Sequence, residues 1–319
     1  MTGAALERIR GSDRIDDVIA ATAAAFDLGG VQQVTVIATG YEDCNVIATT
    51  ERGRFLVKIF AARRSPSEID RYVEIIEHVC RAGVAHPALR PRADGPLLLE
   101  PVTGNRIVVL DFVEGSTYLD LGRTPTDDEL AAVAEQAAKI HSLALRPEPI
   151  YDSWAVPNIA DTYQRVIEHL DPDDAVLANQ AFAIVQDIPR DALPHALVHG
   201  DLTKANVVLT PSGSPVVIDL AAANVYPRVQ ELAVMAANLL HDGETPLRER
   251  VGRVVAAYEQ SSPLTAVEHE AVQAYALGAA SMEMLASFEL IHLRGDDSDE
   301  TRYWLELGRS SLREAIRVT

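Results

Sequence analysis

His199-Gly200-Asp201-Leu202-Thr203-Lys204-Ala205-Asn206, followed after a short apolar hairpin by Val216-Val217-Ile218-Asp219, is the stretch whose reading decides the fold. Asp201 and Asn206 stand at the spacing D-x-x-x-x-N. Val207-Val208-Leu209 and Val216-Val217-Ile218 are β-branched runs separated by the turn Pro211-Ser212-Gly213-Ser214, so the order is loop, strand, turn, strand. Asp219 then ends the second strand. One carboxylate and one amide therefore lie in a loop, with a second carboxylate at the facing strand end. Oxygen donors of this kind suit Mg²⁺, which often takes only one or two side chains. Transfer of a γ-phosphoryl group needs such a metal site, a carboxylate near the attacking hydroxyl and a cation on the phosphates. Asp201 is expected to accept or orient the acceptor hydroxyl proton, and Asn206 and Asp219 to hold the metal. His199 is expected to orient the loop rather than carry a proton.

The cation is sought upstream. Lys58 lies inside the apolar strand run Phe55-Leu56-Val57-Lys58-Ile59-Phe60. A lysine there should reach a ligand or a carboxylate, unless it snorkels from an edge strand. Such a lysine pairs the α- and β-phosphates and is oriented by a glutamate on the next helix. Glu68 is the first candidate for that glutamate and Glu74 the second; helical spacing puts Glu68 on the face of Tyr72. Thr39-Gly40-Tyr41-Glu42-Asp43 sits between the first two strand signals, where a phosphate-covering loop belongs. Gly40 is its single glycine, a weak signal alone.

The segments around these residues divide the chain. A helix is expected from Ile15 to about Phe26. Strands are expected at Val34-Thr35-Val36-Ile37, Asn45 to Thr50, Phe55 to Phe60, Leu97-Leu98-Leu99 and Ile107 to Leu110, with a helix over Ser65 to Cys80. The first third is thus a mainly antiparallel sheet with one inserted helix. The remainder reads as helical apart from the one hairpin. Thr126 with Glu129 forms a capping box opening a helix to His141. Further helices are expected over about 160–170, 175–186, 230–241, 247–259, 266–293 and 301–316. The composition shifts near Val113 to Gly115, so the expected units are 1–113, a nucleotide-binding lobe, and 114–319, a helical lobe with the catalytic loop and acceptor site.

Taken together, His199 to Asn206 and Val217-Ile218-Asp219 resemble the aminoglycoside phosphotransferase/choline kinase family. That family has the protein-kinase-like fold, so the resemblance implies an α+β bilobal architecture. Ala137-Ala138-Lys139-Ile140-His141-Ser142-Leu143 is similar to its helix before the catalytic loop, and Leu110-Asp111-Phe112-Val113-Glu114-Gly115 to its hinge. The resemblance spans about residues 34 to 240. It implies that backbone groups of Asp111 and Val113 bind the base of ATP or GTP, with Mg²⁺ as metal. Tyr41-Glu42-Asp43-Cys44-Asn45 and Gln230-Glu231-Leu232-Ala233 look most like the homoserine kinase and hydroxylysine kinase branch. Leu220 stands where the family often has Phe, and Glu231 where many members have Asp. An amine-bearing acceptor is implied: an amino acid, an amino alcohol or an aminoglycoside-type antibiotic. Glu283 and Glu289 are candidates for its amine, although their positions also suit exposed faces of a packed helix.

Composition sets the outer bounds. The 319 residues are 48% hydrophobic and 24% charged, enough for a sizeable core. With 28 Lys+Arg against 47 Asp+Glu the net charge is −19, which lacks the basic footprint that nucleic acid requires. Acidity suits a cationic substrate, and equally suits solubility. No apolar run approaches the ~20 residues of a membrane span, and Met1 to Arg14 holds no signal-like apolar stretch, so a cytoplasmic enzyme without membrane partners is expected. Cys44 and Cys80 form no metal-type cluster. Three other readings compete. A protein kinase would need an activation segment, but only a short stretch separates Asp219 from Gln230. A nucleotide-binding pseudokinase is opposed by the complete set Lys58, Asp201, Asn206 and Asp219. A metallohydrolase using His199, Asp201 and Asp219 would leave Lys58 unexplained.

Overall fold

The structure, a computed structural model, describes residues 3–317. It divides into two compact units. One runs to Arg81 and includes His86–Glu114; the other comprises Ala82–Ala85 and the chain from Gly115 onward.

In the first unit, β-branched residues in short alternating runs build an antiparallel sheet. Strands β1 (Val31–Val36), β2 (Cys44–Thr50), β3 (Gly53–Ile59), β4 (Leu98–Leu99) and β5 (Arg106–Asp111) are ordered β1-β2-β3-β5-β4. Burial alternates strictly along β2, and Cys44, Val46 and Ala48 face the core. Phe55, Val57 and Ile59 of β3 and Ile107 and Val109 of β5 join them, as the period of two demands. Helices α1 (Gly3–Glu7) and α2 (Ile15–Ala25) supply Ala5, Val18, Ile19 and Ala23 to this cluster. Each fully buried Val or Ile contributes roughly 1.5–3 kcal/mol, so this face fixes the register. Residue 58 therefore belongs to the opposite face, opposite Asn45 on β2 and Val108 on β5. Helix α3 (Pro66–Arg81) buries Ile69, Tyr72, Ile75, Ile76 and Val79 at helical spacing. Its Tyr72 ring lies 5.2 Å from the Lys58 ammonium. Lys58 is only 2% exposed, so it does not snorkel to solvent.

The second unit is mainly helical. After α4 (Tyr118–Leu121), helix α5 (Asp127–His141) opens with both bonds of the Thr126/Glu129 capping box. Helices α6 (Ile159–Val166) and α7 (Pro172–Gln186) follow. The helix expected over 160–170 gives way to a 3₁₀ turn at Ile167–His169. After α8 (Val229–Val234) come α9 (Leu247–Tyr258), α10 (Ala266–Arg294) and α11 (Asp299–Arg317). Helix α10 is buried on every side from Tyr275 to Leu290 and packs against α6, α7, α8 and α11. Glu283 and Glu289 lie inside this stretch and are 8% and 5% exposed, so they are not a solvated helix face.

Two expectations are corrected here. The unit is not helical with a single hairpin. β8 (Val207–Leu209) and β9 (Pro215–Val217) form the hairpin, but β6 (Ser116–Thr117) pairs with β8, and β7 (His195–Val198) pairs with β10 (Asn224–Pro227). These extra strands have two to four residues, too short for alternation to show. The helix expected over 230–241 is also not uniform. α8 runs into a π-helical turn at Met235–Leu239. The buried guanidinium of Arg250 on α9 donates to the carbonyls of Ala236 (2.9 Å) and Ala237 (3.2 Å), which a regular helix would have used internally.

Candidate active site

The loop that follows β7 is held by its own backbone. The amides of His199 and Gly200 donate to the two carboxylate oxygens of Glu231, at 2.5 and 3.3 Å, and Glu231 is fully buried on α8. A glutamate in that place thus reaches across as a shorter acid would, and clamps the loop through charge-assisted bonds. The His199 ring lies within the loop. Its Nδ1 accepts the amide of Asp201 at 3.3 Å and its Nε2 donates to the carbonyl of Ile218 at 3.0 Å. Both ring nitrogens are thereby committed in the neutral form, and burial pushes the imidazole below its ordinary value despite Glu231 and Asp219 nearby. His199 ties the loop to the end of β9.

Gly200 adopts φ 86°, and a Cβ there would stand 2.7 Å from the carbonyl oxygen of Ala222. The turn after Asp219 therefore lies against the loop that carries Asp201. Ile218 donates its amide to the carbonyl of Asn206 at 2.9 Å, and Val207 pairs with Val217. These bonds set Asn206 and Asp219 at neighbouring strand ends. Asp219 itself has a left-handed backbone (φ 61°), and its carboxylate accepts the Ala221 amide at 3.2 Å. The amide nitrogen of Asn206 donates to Asp201, to Oδ2 at 2.5 Å and to the carbonyl at 3.1 Å. Asn206 Oδ1 is then the atom it can offer to a cation. An amide oxygen and a carboxylate make a hard donor set that fits Mg²⁺. Among the described residues no cluster of three or more His, Cys, Asp or Glu is placed to hold a metal ion.

Asp201 is half-buried, and its carboxyl is raised well above the ordinary range. Desolvation is the main cause, followed by the charges of Glu283, Asp152 and Asp219. Glu283 is raised to about 7 by burial, and its Oε1 accepts the Asn238 amide at 2.7 Å. Asn238 sits in the π-turn, and its Oδ1 accepts the Lys204 amide at 3.1 Å. The loop therefore has a second anchor that no sequence signal marked. The Lys204 ammonium donates to the carbonyl of His241. Glu289 is neutralised by Arg165 at 2.7 Å and Arg294 at 2.6 Å.

In the first unit, Lys58 lies 3.5 Å from Asp43 Oδ2. Glu68 is engaged elsewhere. Its carboxylate accepts the Ser65 amide at 2.7 Å while Ser65 Oγ accepts the Glu68 amide at 3.2 Å, a capping box at the start of α3. The Ser65 amide is the main reason its carboxyl is lowered. A carboxylate at Lys58 thus comes from the loop before β2, and none of the bonds of Glu68 reaches the lysine. Glu74 carries no bond to Lys58 either; its carbonyl accepts from His78 within α3. Gly40 is exposed in the same loop as Asp43, with φ 94°. At the end of β5, the Asp111 amide donates to the carbonyl of Ala88 at 3.0 Å, and its side chain accepts Arg90 at 3.2 Å. Val113 is half-buried beyond it.

The model of a phosphotransferase enzyme family matches residues 33–275. The homoserine kinase of Caulobacter sp. (strain K31) is 25% identical over 279 residues, covering 84% of each chain. Among solved structures, choline kinase LicA from Streptococcus pneumoniae superposes with a TM-score of 0.66 at 14% identity, over 94% of this chain and 99% of the other. Amicoumacin kinase hAmiN, in complex with AMP-PNP, Ca²⁺ and Ami, gives a TM-score of 0.68 at 14% identity, over 98% and 96%. The fold is protein-kinase-like: an antiparallel sheet unit and a helical unit.

Proposed function

The chain belongs to the phosphotransferase enzyme family, and we propose that it transfers the γ-phosphoryl group of ATP, with Mg²⁺, to the hydroxyl of a small amine-bearing acceptor. Nucleotide-dependent transfer to a small-molecule hydroxyl is what membership and the homoserine kinase relative establish; donor, metal and acceptor are the finer reading. The observation that carries it is the bond from the Asn206 amide to Asp201. It holds the Asp201 carboxyl in one place, which supports the reading that Asp201 orients the acceptor hydroxyl, and it leaves Asn206 Oδ1 as the atom that would meet a metal together with Asp219. When bound, Mg²⁺ would screen charge on the phosphates. Lys58 is given the remaining share of that charge. Its low exposure keeps it from competing water.

ATP is supported over GTP by the commitments of Asp111. With its amide spent on Ala88, it presents only a carbonyl acceptor to a base. The amino group of adenine donates to such an acceptor, whereas the corresponding oxygen of guanine would be repelled. The amine preference rests on the carboxylates that influence Asp201. Glu283 and Asp152 act on it most strongly after burial, and a cationic acceptor would offset their charge. Homoserine and choline, after which the relative and the structural neighbour are named, both combine a hydroxyl with a cationic nitrogen.

The test is a coupled nucleotide-consumption screen over amino alcohols, hydroxy amino acids and aminoglycosides. Asp201→Asn serves as the blank and is expected to lower kcat by roughly 10²–10⁴-fold. Turnover undiminished in Asp201→Asn would end the assignment of Asp201. Turnover confined to uncharged alcohols would end the amine preference.

A further inference from the structure

Asp43 occupies an unusual position for a side chain in a phosphate-covering loop. It is 4% exposed, and its carboxylate is gripped from several directions. Oδ1 accepts the amide of Ala61, just beyond the end of β3, at 3.0 Å, and the Nε of Arg64 at 2.8 Å. The Asp43 carbonyl accepts a guanidinium bond from Arg8 at 3.2 Å. Arg64 also reaches Glu42 at 3.1 Å, and Arg63 reaches the same Glu42 oxygen at 3.2 Å. Only Oδ2 is left without a hydrogen bond, and it points to the ammonium of Lys58 at 3.5 Å. That separation is an ion pair and not a closed hydrogen bond. Both side chains are shielded from water, at 3% and 0% exposure, where screening is weak.

We propose that Asp43 is the positioning residue for Lys58, doing from the loop before β2 the work expected of a glutamate on α3, and that it couples the order of residues 39–43 to the aim of the lysine. The inference rests on the reading that Lys58 acts on the nucleotide phosphates. It follows from two placements. The carboxylate of Glu68 is committed to the helix start, and that of Asp43 is fixed by Ala61 and Arg64 with one oxygen left over for Lys58. Ala61 and Arg64 lie in the connection from β3 to α3, so the loop, the lysine strand and the helix start share one carboxylate.

A double-mutant cycle on the full-length enzyme tests this. Lys58→Met is expected to lower kcat/KM for ATP by about 100-fold or more. Asp43→Asn, which keeps the shape and the Ala61 bond but removes the charge, is expected to lower it about 10- to 50-fold. In the Lys58→Met background, Asp43→Asn should cost less than a further twofold, because a residue that acts through Lys58 has nothing left to position. A merely structural Asp43 would give losses that multiply, and that result overturns the proposal, as does full activity in a folded Asp43→Asn enzyme. Glu68→Gln runs as the competing arm: a loss in this variant that vanishes in the Lys58→Met background, with none for Asp43→Asn, also overturns it. If Asp43→Asn does not fold, Arg64→Gln releases Asp43 from its outer side. It should lower kcat/KM about threefold to tenfold, again only when Lys58 is present, and an unaltered value refutes the coupling. Should Lys58→Met itself retain wild-type kcat/KM, the role given to Lys58 fails first, and that outcome is distinct from multiplicative losses.

Discussion

Glu283 offers a prediction with a definite sign. It lies on α10, 8% exposed, and is bonded at Oε1 to Asn238. Asp201 and Tyr303 are the titratable groups it influences, and no cation is paired with it among the described residues. Burial raises its carboxyl to about 7. In the unfolded chain a glutamate titrates near about 4.3. Between those values the folded protein keeps a proton that the unfolded chain has released, so stability falls as pH rises through this window. Below about pH 4 both states are protonated and Glu283 contributes nothing. Above about pH 7 the full penalty is present. The separation of roughly 2.7 pK units, at about 1.4 kcal/mol each, amounts to about 4 kcal/mol. Glu283→Gln removes the titration while leaving an oxygen to accept the Asn238 amide. With an unfolding entropy of about 2.1 cal/mol/K per residue over 319 residues, that is a gain of roughly 5–6 °C in Tm at pH 8. Thermal unfolding of both proteins from pH 5 to pH 8 should therefore show curves that converge at the acid end and separate toward the alkaline end. A gap that is constant across the range, or one that widens on acidification, refutes the assignment of a buried neutral carboxyl. The same variant informs function. If Glu283 meets the acceptor amine, the stabilised protein should show a raised KM for the acceptor with little change for ATP.

Three further outcomes follow from the loop geometry. Gly200→Ala places a side chain at φ 86° and 2.7 Å from the Ala222 carbonyl; the left-handed backbone alone costs roughly 1–2 kcal/mol, so kcat should fall at least tenfold with a lowered Tm. Glu231→Gln replaces an acceptor of two amides by a group with one acceptor and one donor, and should cost about 3 kcal/mol in chemical unfolding, with a parallel loss of kcat. Removing divalent metal with EDTA should abolish turnover and Mg²⁺ should restore it, while Asp219→Asn should demand at least a tenfold higher Mg²⁺ concentration for half-maximal rate.

How much of this was legible in the sequence depends on the range of the interactions. The first sheet was readable because its pattern is local. Cys44, Val46 and Ala48 alternate within one strand, and Phe55, Val57 and Ile59 repeat the pattern after a two-residue turn. The long helices were readable for the same reason, and Thr126 with Glu129 marked the start of α5 three residues apart. What escaped was set at a distance. β7 owes its existence to β10, whose residues lie 26 or more positions away, and neither has the length to announce itself. The π-turn at Met235–Leu239 is matched by the guanidinium of Arg250, which arrives from another helix. No window of the α8 sequence contains that partner.

The site divides along the same line. Asp201, Asn206 and Asp219 can be nominated together because hairpin pairing carries the loop spacing directly into space: Val207 faces Val217, and the groups that flank them must be neighbours. The partner of Lys58 was harder, because two patterns competed for one residue. Position on the next helix nominated Glu68. Yet Ser65-Pro66-Ser67-Glu68 is also the capping-box pattern, with proline at the first helical position. The closer claim wins on physical grounds. A helix start leaves backbone amides without partners, and a carboxylate three residues on can satisfy one by ordering a single side chain. Reaching Lys58 would mean ordering the same side chain while leaving the Ser65 amide to solvent. A glutamate three residues after Ser, Thr, Asp or Asn at a helix start should therefore be assigned to the cap first. The lysine's carboxylate should then be sought among acids that have no such local claim, and in this chain that search leads to Asp43.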